Sequence, residues 1–528
     1  MQQQASYREA KGIVASGHQE TSRAAAEILR AGGNAYDAVL AALCAACIAE
    51  PLLASLGGGG YLLAAPIGGQ PVVFDFFCQT PRNKRPEAEL DFYPIWADFG
   101  ADRQEFHIGM GAIAVPGVIA GIFDVHHQLG QLPLPAVVQP AIDLAHRGVP
   151  INAMQHYTVR ILEPILRADP DFFRLFESPL RPGELINQGE LFRNPDLAST
   201  FALLASHGPG FFYGGEWGQR LVADSAQGGQ VQAADLDQYR VIRRKPLEFP
   251  FGGKQCLINP APSPGGGLIA FALGLLPQLL QTGDSPGSPG QVFASINAMR
   301  AASLARDRFG LQDPVHDAAL AQLLLPGSLA EWAREIRQHS LFSRGTTHIS
   351  VADSAGNLAS LSVSNGEGNA YVLPGTGIIL NNMLGEEDLN SGGFHQWQAS
   401  HRLASMMSPM VAKGADGYRL ALGSGGSNRI RSAITQVALN VLHYGMPLEQ
   451  AVNAPRLHLE GQKLSLEPGF QPEVLQNLAA EIRIPGLEIR HWPDANLFFG
   501  GVHAVEIKAG GGFSGAADLR RGGAVEIA

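Results

Sequence analysis

Arg344-Gly345-Thr346-Thr347-His348-Ile349-Ser350-Val351-Ala352-Asp353 is followed by Ser354-Ala355-Gly356-Asn357 and then by Leu358-Ala359-Ser360-Leu361-Ser362-Val363-Ser364. Two runs of alternating character around a glycine-containing turn predict an antiparallel hairpin with strands at 348–353 and 358–364. With Ala355-Gly356 as a two-residue turn, Asp353 faces Leu358, Thr347 faces Ser364 and Thr346 faces Asn365. Ser364 is then a diagonal neighbour of Thr346. The junction before the hairpin has a chemistry of its own. An unhindered carbonyl at Gly345 precedes the hydroxyl of Thr346, which suits an N→O acyl shift. Thr346 Oγ1 attacks the Gly345 carbonyl, the peptide becomes an ester, and water hydrolyses the ester. Thr346 is left with a free α-amine, whose ordinary pKa of about 7.7–8.0 lets it act as a base toward its own hydroxyl. Strands also tolerate Thr and Ser for their shape alone, so the hairpin by itself leaves a purely structural explanation open. His348 lies two residues along the strand, where packing or hydrogen bonding is the simpler role.

Further along, Leu422-Gly423-Ser424-Gly425-Gly426-Ser427-Asn428-Arg429-Ile430 joins a strand-like run at 418–422 to a helical run at 432–442. Glycines there let N–H groups converge at a helix start, and Gly425 and Gly426 are candidate oxyanion donors. A tight strand-to-helix turn explains the same residues without a ligand. The spacing is not G-x-G-x-x-G, and the chain has no Walker A loop, no G-x-S-x-G elbow and no H-E-x-x-H. The 16 histidines are scattered. Neither a metal nor a cofactor is expected.

Composition narrows the class. The chain has 528 residues, 45% apolar and 16% charged, with a mean hydropathy near zero, which suits a globular protein with a large core. Net charge is −10 and no Lys/Arg run is long, so neither nucleic acid nor an anionic membrane surface is an expected partner. The longest apolar run, 38–49, ends at Glu50-Pro51 and is too short to span a bilayer. No apolar segment of the signal-peptide kind lies near Met1, and a cytoplasmic location is expected. Cys44 and Cys47 form a C-x-x-C inside an apolar helical pattern, which predicts buried small residues and not a redox pair.

Residues 19–50 predict a helix pair. Strands are expected at 61–65 and 71–77, mostly helix at 115–340, and strands again at 463–467 and 502–507. Both halves supply helices and strands with no Pro/Ser linker between them. One α/β (α+β) domain over 1–528, built from two interleaved halves, is the expected organisation.

Many ordered segments then point to one family. They include Ala31-Gly32-Gly33-Asn34-Ala35-Tyr36-Asp37-Ala38, Leu56-Gly57-Gly58-Gly59-Gly60, Pro260-Ala261-Pro262-Ser263-Pro264-Gly265-Gly266, Thr346-Thr347-His348, Leu380-Asn381-Asn382 and Gly515-Ala516-Ala517-Asp518. The chain resembles the gamma-glutamyltransferases, which are N-terminal-nucleophile hydrolases. The resemblance implies a four-layer αββα sandwich and autoproteolysis between Gly345 and Thr346. The resulting fragments, 1–345 and 346–528, would stay associated. It implies a small-molecule amide substrate, an acyl-enzyme on Thr346, and water or an amine as acceptor. Ser364 would be the second hydroxyl, where the family has Thr, and Gly425 and Gly426 would serve the oxyanion.

The glutamyl clamp departs from the family pattern. The arginine of D-F-R-E-x-A-P is Phe77 here, and a guanidinium–carboxylate pair is hard to replace with a ring. Glu386 stands where an acidic residue contacts the glutamyl amine. Ser405 and Met406 replace a pair of serines. The substrate-binding Asn after the second hydroxyl aligns with Gly366, leaving Asn365 or Glu367 to compensate. The lid segment 382–402 is short. Two acyl donors therefore stay open: a γ-glutamyl amide, or a bulkier or less charged acyl amide as in the cephalosporin-acylase branch. An unprocessed pseudoenzyme is the reading from another class.

Overall fold

The computed structural model describes residues 10–98, 103–308, 317–335, 346–390, 392–481, 484 and 486–528. In chain order, the strands of its two large sheets are β1 (Gly12–Ser16), β2 (Gly59–Ala65), β3 (Val72–Phe76), β4 (Ile242–Arg244), β5 (Leu247–Phe251), β6 (Lys254–Ile258), β7 (Thr347–Asp353), β8 (Leu358–Ser364), β9 (Met410–Lys413), β10 (Arg419–Gly425), β11 (Gly501–Ile507), β12 (Phe513–Ala517) and β13 (Ala524–Ile527). The first sheet runs β13-β1-β7-β8-β2-β3-β4 and the second β12-β11-β10-β9-β6-β5. Neighbouring strands in both are antiparallel. Strands from before and after residue 345 therefore share each sheet: they are intercalated in the first and form two adjoining blocks in the second.

Helices cover the outer faces. On the first sheet these are α1 (Gln19–Arg30), α2 (Ala35–Ala49), α3 (Val118–Leu129) and α4 (Leu134–Arg147). Over the second sheet lie α5 (Pro264–Leu279), α6 (Pro289–Arg308), which packs on α5, and α7 (Arg429–Ala438). The order helix, sheet, sheet, helix is the four-layer αββα sandwich. The period of two decides which side chains enter which layer. Ile349, Val351, Leu361 and Val363 join the cluster under α1–α4, whereas His348, Ser350, Ser360 and Ser362 face the second sheet.

α2 begins with a capping box, Asn34 Oδ1 accepting from the Tyr36 and Asp37 N–H groups while Asp37 accepts from the Asn34 N–H. Every residue of α2 is buried, because the helix lies between the sheet and the outer helices. Cys44 and Cys47 are packing residues there, and burial pushes the Cys44 thiol up to about 12. No helix among the described residues is long and apolar enough to cross a membrane.

The hairpin forms one residue out of the predicted register. Asp353 N–H donates to the Asn357 carbonyl, Gly356 N–H donates to Asp353, and Gly356 has φ +96°, so the loop is the three residues 354–356. The Asp353 carboxylate holds this turn by accepting from Asn357 N–H at 2.9 Å, Asn357 Nδ2 at 2.8 Å and the Ala35 N–H at 3.0 Å. Thr347 accordingly pairs with Val363 and not with Ser364. One step further places Thr346 directly opposite Ser364.

One other expectation is revised. The stretch expected to be mostly helical also carries β4–β6, ahead of α5, which begins at Pro264 with proline in the first turn. Those strands are short, and β5 contains Pro250, which hid them from a periodicity reading.

Candidate active site

Thr346 is 3% exposed at the start of β7. Continuing the strand's alternation turns its side chain to the same face as His348, between the sheets. Arg521 Nη1 donates to the Thr346 carbonyl at 3.0 Å. Gly425, at the end of β10, lies against the same carbonyl: a Cβ there would stand 1.8 Å from the oxygen. Gly426 has φ +114° and sits beside Arg521 and Gly500. The glycines of this turn thus let the second sheet close on the start of β7. Gly345 lies outside the described residues.

The neighbour of Thr346 is anchored on the opposite face. Thr347 Oγ1 donates to Glu50 Oε2 at 2.6 Å, and Thr21 Oγ1 to Glu50 Oε1 at 3.0 Å. Burial raises the Glu50 carboxyl, opposed by these two bonds and by the charge of Arg521. Burial lowers Arg521 to about 10, opposed by Asp518 and Glu50. Across the hairpin, Ser364 Oγ accepts the Gly366 N–H at 3.0 Å. His348 is fully buried, with Nδ1 on Ser362 Oγ at 2.8 Å and Nε2 on Ser350 Oγ at 3.0 Å. Burial drives its pKa well below 6.5, so it is a neutral packing residue, and its ring occupies the space a side chain at Gly423 would need.

Thr346 and Ser364 open into a cleft that Phe77, Arg306, Met383, Glu386, Asp388, Leu389, Ser405, Met406 and Ser427 also line. Phe77, just past β3, stacks on Tyr61 with ring centroids 5.4 Å apart. Asp75, two residues earlier, is bridged by Arg244 at 2.7 Å and Arg402 at 3.2 Å. Arg402 Nη1 also donates to the Phe77 carbonyl at 2.9 Å. Gly366 has φ +64°, and a Cβ there would meet Asn382 Oδ1 at 2.0 Å and Glu386 Oε1 at 2.3 Å. The asparagine-like contact the family places at this position has no room here. Asn365 and Glu367, on either side of Gly366, are both buried. Ser405 Oγ is turned to the Met407 N–H at 3.1 Å.

The family description Gamma-glutamyltranspeptidase matches residues 21–528. This chain belongs to that family. It is 32% identical over 535 residues to the Acylase ACY 1 proenzyme of Pseudomonas sp. (strain V22), covering 97% of this chain and 93% of that one. The Glutathione hydrolase proenzyme of Escherichia coli (strain K12) is 28% identical, covering 89% and 85%. In structure it is similar to the cephalosporin acylase from Bacillus halodurans, with a TM-score of 0.83 at 23% identity over 98% of this chain and 96% of that one. The chain is thus an enzyme of the N-terminal-nucleophile hydrolase class with the αββα fold.

The structure also brings in residues that a reading of the sequence missed. Glu50 and Arg521, which pin the start of β7 from two sides, are 296 and 175 positions from Thr346. Glu50 left one trace, a carboxylate ending the apolar run at 38–49. Arg521 follows the matched Gly515-Ala516-Ala517-Asp518 segment. Arg306 left no trace at all.

Proposed function

We propose that this chain is a precursor that cuts itself between Gly345 and Thr346 and then acts as an amide acylase through Thr346. The observation that carries the reading is that Thr346 and Ser364 line one cleft together with Phe77, the register of Thr347 with Val363 carrying on to set Thr346 opposite Ser364. After cleavage the Thr346 α-amine takes the proton from Oγ1 as Oγ1 attacks the substrate's amide carbonyl. The tetrahedral oxyanion is held by N–H groups of the Gly425-Gly426 turn. The protonated amine gives its proton to the leaving amine as the C–N bond breaks, leaving the acyl group as an ester on Oγ1. Water, or an acceptor amine, attacks that ester and regenerates Thr346. Ser364, hydrogen-bonded to the Gly366 N–H, is placed to orient the nucleophile. Fragments 1–345 and 346–528 remain one interleaved domain, because each supplies strands to both sheets.

The acyl group is one whose recognition uses no cation on β3, since Phe77 fills that position. The acylase name of the Pseudomonas relative supports the same choice. A γ-glutamyl donor is the second reading, favoured by Glu386, which lines the cleft where an ammonium group would need a partner.

A denaturing gel of purified protein tests the first step: two fragments are expected from the wild type and one intact chain from Thr346→Ala. Turnover of acyl p-nitroanilides tests the second. A wild-type chain that stays whole removes the acylase reading, and turnover confined to the γ-glutamyl anilide moves the assignment to the second donor.

A further inference from the structure

The cleft beside Thr346 has no cation on β3, yet an arginine lines it. Arg306 comes from α6, on the opposite helical layer from β3, and its Nε is buried without a hydrogen-bond partner among the described residues. Guanidinium nitrogens are strong donors, and leaving one buried and unpaired is costly. In a substrate cleft the missing partner is most economically a group of the substrate.

Arg402 and Arg521 also carry a buried Nε without a hydrogen-bond partner, but their terminal nitrogens are committed to the protein and neither lines the cleft. Arg402 Nη1 donates to Asp75, to the Phe77 carbonyl and to Tyr239 Oη, and its Nη2 donates to the Arg240 carbonyl. Arg244 is bonded twice to Asp75. Arg521 is spent on the Thr346 carbonyl and lies beside Gly425 and Gly426. Their positions also differ, since only Arg306 of these four lines the cleft.

We propose that Arg306 holds a carboxylate carried by the acyl group, so that the cation of the acyl site has moved from β3 to α6. The inference rests on the amide-acylase reading and adds the chemistry of its substrate. A planar guanidinium matches a carboxylate through paired N–H···O bonds. Phe77, Met383, Leu389 and Met406 then enclose the methylene segment between that carboxylate and the scissile carbonyl. Glu386 and Asp388 line the same cleft, and Asp388 accepts from Asn428 Nδ2 at 3.3 Å. Their charge favours an ammonium group near the carboxylate and disfavours a second anion. The acyl group is therefore a carboxyacyl chain, either plain or bearing an α-amine, and the carboxylate is common to both.

Three p-nitroanilides of equal acyl length separate the cases: 4-carboxybutanoyl, γ-glutamyl and pentanoyl. At least one of the two carboxylate-bearing probes is expected to exceed pentanoyl in kcat/KM by about tenfold or more, and the better of the two tells whether the α-amine is read. Arg306→Gln is expected to lower the ratio of carboxylate-bearing to pentanoyl kcat/KM by about 10- to 100-fold, mainly through KM, with Arg306→Lys restoring part of it. Equal kcat/KM for pentanoyl and both carboxylate-bearing probes in the wild type overturns the proposal. So does a fall shared equally by all three probes in Arg306→Gln. Calorimetric titration of pentanedioate into the full protein as purified, cut or whole, reads the site without turnover. Binding weakened about tenfold or more by Arg306→Gln supports the proposal, and equal or absent binding in both proteins overturns it. A cut enzyme that turns over none of the anilides removes the acylase reading alone, and the titration then decides the role of Arg306.

Discussion

The two ends of the cleft are built from different kinds of element. At the proposed reacting end, the register of Thr347 with Val363 sets Thr346 opposite Ser364 one step on, Gly425 leaves no room for a side chain, and Glu50 and Arg521 pin the strand from both sides. At the proposed recognition end, Phe77 lines the cleft, a side chain at Gly366 would meet Asn382 and Glu386, and Arg306 enters from a different layer. The reacting atoms sit in a sheet whose register moves only in whole residues, so change there is all-or-none. The recognition groups project from a strand end, a helix and short turns, where a single substitution alters one contact.

The sharpest way to break the comparison is at Thr346. Thr346→Ala is expected to leave the chain whole and to remove turnover by at least about a thousandfold, while Thr346→Ser retains part of both; gels and initial rates check it. Gly425→Ala comes next. Its Cβ would stand 1.8 Å from the Thr346 carbonyl, so the second sheet has to shift. A loss of about 1–3 kcal/mol and slowed fragment formation are expected, read by denaturant melts and a processing time course. Phe77→Arg tests the other end: a gain of about tenfold in γ-glutamyl over pentanoyl turnover is expected, and no gain would show that the ring is not what excludes the glutamyl head. The smallest effect is a pH dependence. Burial lowers His503 to about 4, with Arg521 and Arg456 acting the same way and Asp518 opposing, and its Nδ1 accepts the Asp518 N–H at 3.3 Å. A neutral folded histidine contributes stability that is fully present above its unfolded value of 6.5 and is lost as pH falls toward 4. The slope is about 1.4 kcal/mol per pH unit. Melts of His503→Gln should show a flatter fall over that window than the wild type.

The local structure around the proposed reacting end was partly legible in the residues. The alternation on both sides of Gly356 and the 422–430 strand-to-helix turn each state a local rule, and local rules survive folding. The register was misread by one residue because the Asp353 carboxylate, and not the glycine alone, sets the turn. That shift strengthened the placement of Ser364, from diagonal to direct. β4–β6 went unread because they are short and one carries a proline. Glu50, Arg521 and Arg306 went unread for another reason: each acts across a long sequence separation, and no periodicity encodes which distant side chain fills a buried gap.

The strand order of the first sheet has a consequence for how the molecule is made. β7 and β8 lie between β1 and β2, and β13 lies on the far side of β1. A nascent chain that has reached residue 345 holds β1 and β2 with nothing to pair between them, and the sheet closes only when the last third has been synthesised. On the proposed mechanism, the bond before Thr346 can break only after that closure, because the groups that pin it, Glu50 and Arg521, come from the two ends of the chain. Scission then works as a completion signal: a cut molecule is one whose whole sheet has already been assembled.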